Sequence, residues 1–245
     1  MNTTEPAENK SAASPSVEQL RTNHQAVLDA IATACKAAGR NADSVRLLPV
    51  SKTYPPEVLG RAMQAGMHEF GENRPQEIKE KALSSACAGA QLVHIGQLQT
   101  NKAKIVAEYA TEFQALDSVK VAGALQRRLE SADRVLDVLI QVNTSGEPQK
   151  SGIHPAEAAE FVAAMEQFPR LKIRGLMTVA VNGPDPKRVG ACFSLLADTR
   201  DALAAQFPNL DFSELSMGMS GDFELAIAHG STCVRIGQAI FGPRG

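Results

Sequence analysis

The sequence predicts an α/β protein, a single (β/α)8 barrel of the TIM type preceded by an N-terminal helix. Eight short apolar segments alternate with seven longer segments of helical periodicity, which is typical of a parallel sheet covered by helices. No composition break divides the chain after residue 16, and its 245 residues suit a short barrel. A doubly wound open sheet is the alternative that the same alternation allows.

The N-terminal part of the chain predicts a tail followed by a helix. Residues 1–16 are polar and lack the apolar core of a signal peptide, so we expect a disordered tail. From Val17 to Ile31 apolar residues recur at helical spacing, and Gly39 stands where a C-terminal cap belongs. Residues 17–245 are then expected to form one domain, the helix and the barrel.

Each of the eight apolar segments has the length of a buried strand. In chain order the predicted strands read VRLLPVS, MHEF, QLVHI, TEFQAL, VLDVLIQV, LKIRGLM, SELSM and CVRIG. The predicted helices between them cover residues 56–65, 75–86, 102–110, 118–132, 155–167, 187–206 and 222–229. In a barrel and in an open sheet alike, ligands bind at the carboxyl ends of the strands, so the residues that follow each strand are the candidate site residues.

Composition argues against several classes of function. With 25 basic and 27 acidic side chains, the net charge of −2 gives no overall field that would hold nucleic acid or an anionic membrane. The four cysteines form no CxxC pair and the histidines show no ligand spacing, so we expect reduced thiols and no metal. No apolar run reaches the length of a membrane span. Together these features predict a cytoplasmic protein.

Lys52 follows the first predicted strand, in the segment LLPVSKTYP. A buried ammonium group is costly unless it is paired, so one interpretation is that the strand simply emerges into water at this point. The other is that the lysine is kept at the barrel mouth to be used as an amine.

The loops after the seventh and eighth strands predict a phosphate site. SMGMSGD provides Ser216 and Ser220 with two glycines just before a helix, and STCVRIG provides Arg235 and Gly237. Glycines let the backbone approach a phosphate, and hydroxyls and a guanidinium complete its binding. The structural alternative is a helix capped by Ser220, with Arg235 in a salt bridge. An amine and a phosphate site at one mouth form the combination that pyridoxal 5′-phosphate (PLP) requires, since its aldehyde condenses with an amine.

Seven ordered motifs carry a family resemblance: VSKT, AGMHEFGENRPQE, HIGQLQTNK, QVNTSGEPQKSG, GLMTVA, LSMGMSGDFELAI and GSTCVRIGQAIFG. They resemble the YggS/PROSC family of PLP homeostasis proteins, which is related in fold to the barrel domain of alanine racemase, over nearly all of residues 17–243. The resemblance implies a fold type III PLP-binding barrel that holds the cofactor as an imine of Lys52 and takes part in intracellular vitamin B6 homeostasis or delivery.

The resemblance also implies the cofactor-binding residues, which are Lys52, Asn73, Ser216, Met217, Ser220, Arg235 and Gly237. The chain departs from the family in two places. Arg74 and Pro75 replace the aromatic and aliphatic residues of FGENYVQE. Pro49 replaces a small residue and removes a backbone donor inside the first strand, which predicts a local irregularity there. Strand alternation turns His94 toward the core rather than the mouth.

Two functions from different classes are open to such a site: a carrier that holds and delivers PLP, or an enzyme such as an amino acid racemase. Racemisation needs acid and base groups on both faces of the substrate carbon. Tyr54 is too close to Lys52 to face it and Tyr109 lies in a predicted helix, while the opposing tyrosine of the racemase belongs to a second domain beyond the barrel. The carrier is favoured, with PLP-dependent apoenzymes as candidate recipients and a monomer as the expected state.

Overall fold

The computed structural model describes residues 14–243, which contain eight strands and nine α-helices. The strands are β1 (Arg46–Pro49), β2 (Glu69–Glu72), β3 (Gln91–His94), β4 (Glu112–Leu116), β5 (Leu136–Gln141), β6 (Leu171–Met177), β7 (Glu214–Met219) and β8 (Cys233–Ile236). The helices are α1 (Val17–Ala37), α2 (Pro56–Gln64), α3 (Pro75–Leu83), α4 (Ala103–Tyr109), α5 (Val119–Ser131), α6 (Ala158–Ala164), α7 (Pro186–Gln206), α8 (Phe223–Ala228) and α9 (Gln238–Phe241).

The strands form one parallel sheet in the order β1-β8-β7-β6-β5-β4-β3-β2. The two strands at the ends of this order, β1 and β2, meet at an isolated bridge between Val50 and Gly71. The sheet therefore curls into a nearly closed barrel with the helices around it, and the predicted (β/α)8 architecture is confirmed. The open sheet is excluded.

The seam between β1 and β2 is short for a reason that the sequence contains. The N–H of Val50 donates to the carbonyl of Ile236, on the β8 side, at 2.8 Å. Since successive N–H groups of a strand point to opposite neighbours, the nitrogen of Pro49 faces β2 and has no hydrogen to donate. The N–H of Ser51 resumes the pairing with the carbonyl of Gly71 at 3.1 Å. The irregularity predicted at Pro49 is thus present as a short ladder.

Helix α1 begins and ends at local signals. The Ser16 hydroxyl caps it by accepting from the N–H of Gln19 at 3.2 Å, and Gly39, with φ of +67°, turns the chain away beyond its end. Its buried face consists of Leu20, Val27, Ile31 and Cys35. It packs against α2, α8 and α9, so it completes the ring of helices beside β8. Residues 1–13 of the predicted tail lie outside the described residues, so the tail remains a prediction.

The predicted helices differ from the observed ones mainly at their ends. Helix α6 is shorter than predicted because 3₁₀ turns, Pro155–Glu157 and Met165–Gln167, replace its first and last turns. Helix α9 was not predicted, since four residues are too few to show a period. No helix within residues 14–243 has the length and apolar character needed to cross a bilayer.

The barrel interior is filled by side chains in layers. At its amino-terminal base, Arg46 of β1 forms ion pairs with Glu69 at 2.8 Å, with Glu112 at 2.9 Å and with Glu214. An apolar cluster of Leu48, Val93 and Cys233, with Ile95 packed against it, lies in the middle of the barrel. The base is therefore sealed, and the carboxyl ends of the strands are left to form a site.

Candidate functional site at the barrel mouth

A cavity of ≈ 420 Å³ opens at the carboxyl ends of the strands. Its lining consists of Val50, Lys52, Asn73, Ile95, Met177, Val179, Met219, Ser220, Gly221, Arg235, Gly237 and Gln238. Five of the seven predicted cofactor residues are in this lining: Lys52, Asn73, Ser220, Arg235 and Gly237. Among the described lining residues Lys52 and Arg235 are the charged ones, so the cavity combines two basic side chains with no carboxylate.

Lys52 is half-buried and stands in a tight turn directly after β1. The turn is closed by the N–H of Tyr54, which donates to the carbonyl of Ser51 at 3.1 Å. Within it, Thr53 has φ of +73°. A β-branched residue in this left-handed region costs on the order of 1–3 kcal/mol and persists only where its surroundings fix it. The chain therefore presents Lys52 to the cavity on a strained turn.

Arg235 of β8 brings a buried guanidinium to the floor of the cavity, with 5% of the residue exposed. Its Nη1 donates to the Ser216 hydroxyl at 2.7 Å and its Nη2 to the carbonyl of Thr178 at 2.8 Å. Burial lowers the pKa of Arg235. No carboxylate within residues 14–243 lies at ion-pair distance from it, so the salt bridge considered as its structural alternative is not formed. Since neutral groups do not neutralise its charge, a buried guanidinium of this kind can bind an anionic or polar group of a ligand.

Ser216 and Met217 of β7 are completely buried and do not line the cavity. The Ser216 hydroxyl accepts from Arg235 and donates to the side-chain carbonyl of Gln114 at 2.7 Å. Its hydrogen bonds are thus made to the protein beneath the cavity. Ser216 therefore lies behind Arg235 as seen from the cavity, and its part in binding a cofactor stays a prediction.

The loop after β7 is one of the two loops that the sequence predicts to bind phosphate. It forms a turn over residues 220–222 before α8 begins. Asp222 is the N-cap residue of α8, so the alternative in which Ser220 caps this helix is wrong. The Asp222 carboxylate instead accepts from the N–H of Met219 at 2.6 Å, which closes the turn. Ser220 and Gly221 are exposed and face the cavity.

Asn73 lies on the opposite side, directly after β2, and is exposed. The loop after β3 packs tightly against the backbone of Asn73. A Cβ atom added to Gly96 would lie only 2.2 Å from the Asn73 carbonyl oxygen. Only glycine permits this approach. The segment HIGQLQTNK thus reaches the mouth through Ile95 and contacts the backbone of Asn73 through Gly96.

The apolar lining was not predicted residue by residue. Its members are Val50, Ile95, Met177, Val179 and Met219. Strand alternation contains a signal for some of them: Val50 and Ile95 follow interior residues Leu48 and Val93 at a spacing of two. The carbonyl of Thr178 was also missed, since backbone acceptors have no sequence signature.

His94 lies in the core and not in the cavity. It is fully buried, stacks on Phe113 with ring centroids 5.3 Å apart, and burial lowers its pKa to about 4. Within residues 14–243, no three histidine, cysteine or acidic side chains come together in a way that could hold a metal ion.

Comparison with known proteins shows which class of barrel protein this chain belongs to. The family model described as the N-terminal domain of alanine racemase matches residues 27–245. A pyridoxal phosphate homeostasis protein of Vibrio cholerae is 42% identical over 93% of this chain and 98% of the relative. The chain is thus one of the barrels that share the alanine racemase N-terminal domain.

Solved structures agree with this class. An unknown protein from Bifidobacterium adolescentis superimposes with a TM-score of 0.84 at 38% identity, covering 92% of this chain and 95% of the other. PipY of Synechococcus elongatus PCC7942, solved with PLP bound, gives a TM-score of 0.74 at 33% identity, covering 81% and 93%. This chain belongs to the family of pyridoxal phosphate homeostasis proteins, and the resemblance found in its motifs is confirmed.

Proposed function

We propose that this chain binds PLP in the cavity at the barrel mouth, on Lys52, and serves the homeostasis or delivery of this cofactor. The observation that carries the proposal is the lining itself, in which one half-buried amine and one buried guanidinium lie around the same cavity. PLP is an anionic aldehyde, so both of its distinctive groups find a matching partner there. The volume of ≈ 420 Å³ is in the range of about 300–1,000 Å³ that is usual for small-molecule sites.

Lys52 would hold the cofactor covalently. PLP supplies an aldehyde that condenses with an amine with loss of water, and Lys52 Nζ is the amine that would hold it, so that the reactive aldehyde would be masked inside the protein. The turn after β1 sets the position of this amine, and the apolar lining from Met177, Val179 and Met219 excludes water from one side of it.

The remaining polar residues would orient the ligand. Ser220 and the backbone at Gly221 and Gly237 are placed to contact a phosphate, because small residues leave their N–H groups accessible. Arg235 supplies the positive charge from the floor, and Ser216 acts through Arg235 by fixing its Nη1. Asn73 closes the opposite side.

We assign this site to a carrier rather than an enzyme. The Tyr54 hydroxyl donates to the carbonyl of Gly242 at 2.9 Å and its ring packs on Phe241, so this hydroxyl is engaged away from the cavity. None of the described lining residues has a carboxylate that could stabilise a protonated pyridine nitrogen. A racemase is the second candidate, supported by the alanine racemase name of the matching family model.

We also propose the recipients of the cofactor, the oligomeric state of the protein and its compartment. PLP-dependent apoenzymes are the recipients that a carrier of this cofactor would serve, and a monomer is its expected state. The four cysteines are free and buried, which suits the cytoplasm, where thiols stay reduced.

Binding is tested by titrating the purified protein with PLP and following its visible absorbance. Wild type is expected to develop the absorbance of the lysine-linked cofactor, and Lys52→Ala is expected to lose it while keeping its circular dichroism. Lys104→Ala, on the exposed face of α4, is the matched control and should behave as wild type. An unchanged spectrum for Lys52→Ala would refute the assignment.

The carrier and the racemase are separated by hydrogen exchange. In deuterated solvent, wild type is expected to incorporate deuterium into the α-carbon of L-alanine no faster than free PLP does, because a missing acid or base is worth about 10² to 10⁴ in rate. Exchange far above that of free PLP, and dependent on Lys52, would establish the enzyme instead.

A further inference from the structure

A buried ion pair lies behind the cavity, between the sheet and α3. Glu72, the last residue of β2, and Lys81 of α3 are 0% and 1% exposed, and Lys81 Nζ donates to Glu72 Oε1 at 2.5 Å. Burial costs several kcal/mol per ion, and an apolar pair of similar volume often replaces such a bridge with no loss of stability. A contribution to stability is therefore a weak explanation for the presence of this ion pair, whereas its contacts with neighbouring residues indicate another role.

Both partners of the ion pair bind Ser51. The Lys81 ammonium donates to the backbone carbonyl of Ser51 at 2.9 Å, and the Ser51 hydroxyl donates to Glu72 Oε1 at 2.5 Å. Ser51 is itself completely buried. Main chain from β1, a side chain from β2 and a side chain from α3 thus meet in one set of charge-assisted hydrogen bonds.

The carbonyl of Ser51 is also the acceptor that closes the turn carrying Lys52. It receives the N–H of Tyr54 at 3.1 Å in addition to the Lys81 ammonium. Thr53, inside that turn, has φ of +73° and needs its surroundings to keep it there. The Lys81 ammonium therefore fixes the Ser51 carbonyl, on which the strained turn that positions Lys52 closes.

The same contacts hold the short seam of the barrel. Because Pro49 cannot donate toward β2, the ladder between β1 and β2 is interrupted just below the mouth. The side-chain contacts from Ser51 and Glu72 cross the seam at this point. Lys52 and Asn73 are the next residue on each side, so a movement of the seam would displace both.

We propose that Lys81 and Glu72 are positioning residues, which fix the main chain beneath Lys52 and Asn73 through Ser51. The proposal rests on the binding of PLP at Lys52. Neither residue lines the cavity, and their action is on the geometry of the amine rather than on the ligand.

Other titratable groups surround the pair and belong to its environment. The Oε2 atoms of Glu72 and of Glu77 on α3 are buried without a nitrogen or hydroxyl partner among the described residues. The pKa of Glu72 is raised to about 7, first by burial and also by the hydrogen bond between these two carboxyls, while Lys81 and Ser51 oppose the rise. Cys87 lies close to both charges of the pair, and His94 of β3 lies opposite Glu72 in the sheet.

Three variants separate positioning from stability. Lys81→Met leaves Glu72 buried and unpaired, so both thermal stability and PLP affinity are expected to fall. Glu72→Gln/Lys81→Met removes both charges, so stability should return toward wild type. Its affinity for PLP, read from the Lys52 adduct trapped by borohydride, should stay about tenfold or more below wild type, because the Ser51 carbonyl has lost its hydrogen bond to the Lys81 ammonium. Lys79→Met, on the exposed face of α3, is the control for both measurements.

The outcomes are distinct. Wild-type affinity in the double variant would overturn the proposal and leave the pair a structural element. If the double variant does not fold, Ser51→Ala provides the test: it should bind PLP about threefold or more weakly at unchanged secondary structure, and equal affinity would also overturn the proposal. A wild-type protein that forms no Lys52 adduct would refute the proposed function, and the positioning role with it.

Discussion

The barrel contains an arginine at each end, and the two differ in the groups that surround their charge. Arg46, at the base, is surrounded by Glu69, Glu112 and Glu214, and its partly exposed side chain forms ion pairs with all three. Arg235, below the mouth, is more deeply buried and is hydrogen-bonded to a hydroxyl and a backbone carbonyl.

The difference assigns a role to each end. At the base, three carboxylates oppose one guanidinium, so the charge of Arg46 is satisfied within the protein and its contribution is to stability. At the mouth, Arg235 is held by neutral groups and lines the same cavity as Lys52. In the proposed function, a cofactor that carries a phosphate and an aldehyde would meet these two basic groups, as the glutamates meet Arg46 at the base.

Removing the arginine at the base is expected to have the largest effect on stability. Arg46→Met leaves three neighbouring carboxylates without their cation, which should lower the free energy of unfolding by about 2 to 4 kcal/mol. Urea denaturation measures this change. Arg174→Met is the matched control, since its exposed pairs with Asp137 and Asp211 should contribute only about 0 to 1 kcal/mol. A loss as small as that of the control would show that the base cluster is not structural.

Removing the arginine at the mouth should have the reverse pattern. Arg235→Met is expected to bind PLP about tenfold to a hundredfold more weakly, through the loss of charge-assisted contacts. Its melting temperature without cofactor should change little, because a buried charge is removed together with its desolvation cost. Absorbance titration and thermal denaturation give both values. Unchanged affinity would place the anion of the cofactor elsewhere.

The pH dependence of stability tests the ion pair beneath the mouth. Burial raises the pKa of Glu72 to about 7, so the folded protein holds this proton more tightly than the unfolded chain does. The resulting stability is fully present below the ordinary pKa of Glu72 and is lost as the pH rises through about 7. Wild type should therefore lose stability relative to Glu72→Gln between about pH 5 and about pH 8.

Denaturation of both proteins at the two pH values measures this difference. The lowered pKa of His94 acts in the opposite direction at acidic pH, but it is common to both proteins and cancels in the comparison. Parallel pH profiles would mean that Glu72 is ionised throughout.

Ser216→Ala should have the smallest effect. Arg235 keeps its hydrogen bond to the Thr178 carbonyl in this variant, so PLP affinity is expected to fall only about threefold. Titration under the same conditions as for Arg235→Met compares the two. A loss as large as that of Arg235→Met would mean that Ser216 contacts the cofactor directly.

Much of the fold could be predicted because it follows from local patterns. Eight apolar segments separated by helical periods predicted a parallel sheet, the structure decided for the barrel over the open sheet, and Pro49 marked the irregular seam. The position of Lys52 at the cavity followed from the rule that parallel strands end at one face.

What could not be predicted depends on side-chain direction and on partners far apart in sequence. The sequence did not show that Ser216 is completely buried or that Gln114 and Arg235 are hydrogen-bonded to its hydroxyl, and a contact of Ser216 with phosphate stays a prediction. The pair between Glu72 and Lys81 has no local signal, because Glu72 follows a predicted strand and Lys81 lies nine residues further on, in a predicted helix with other charged residues. Its burial appears only when α3 is packed on the sheet.

The central claim is that the amine at the mouth, on Lys52, is the group that carries the cofactor. The most direct measurement is reduction of the PLP-loaded protein with borohydride, followed by peptide mass mapping. The account predicts one dominant pyridoxyl adduct, on Lys52, and none on Lys81 beneath it. An adduct mainly on Lys102 or Lys150, or no adduct at all, would contradict it.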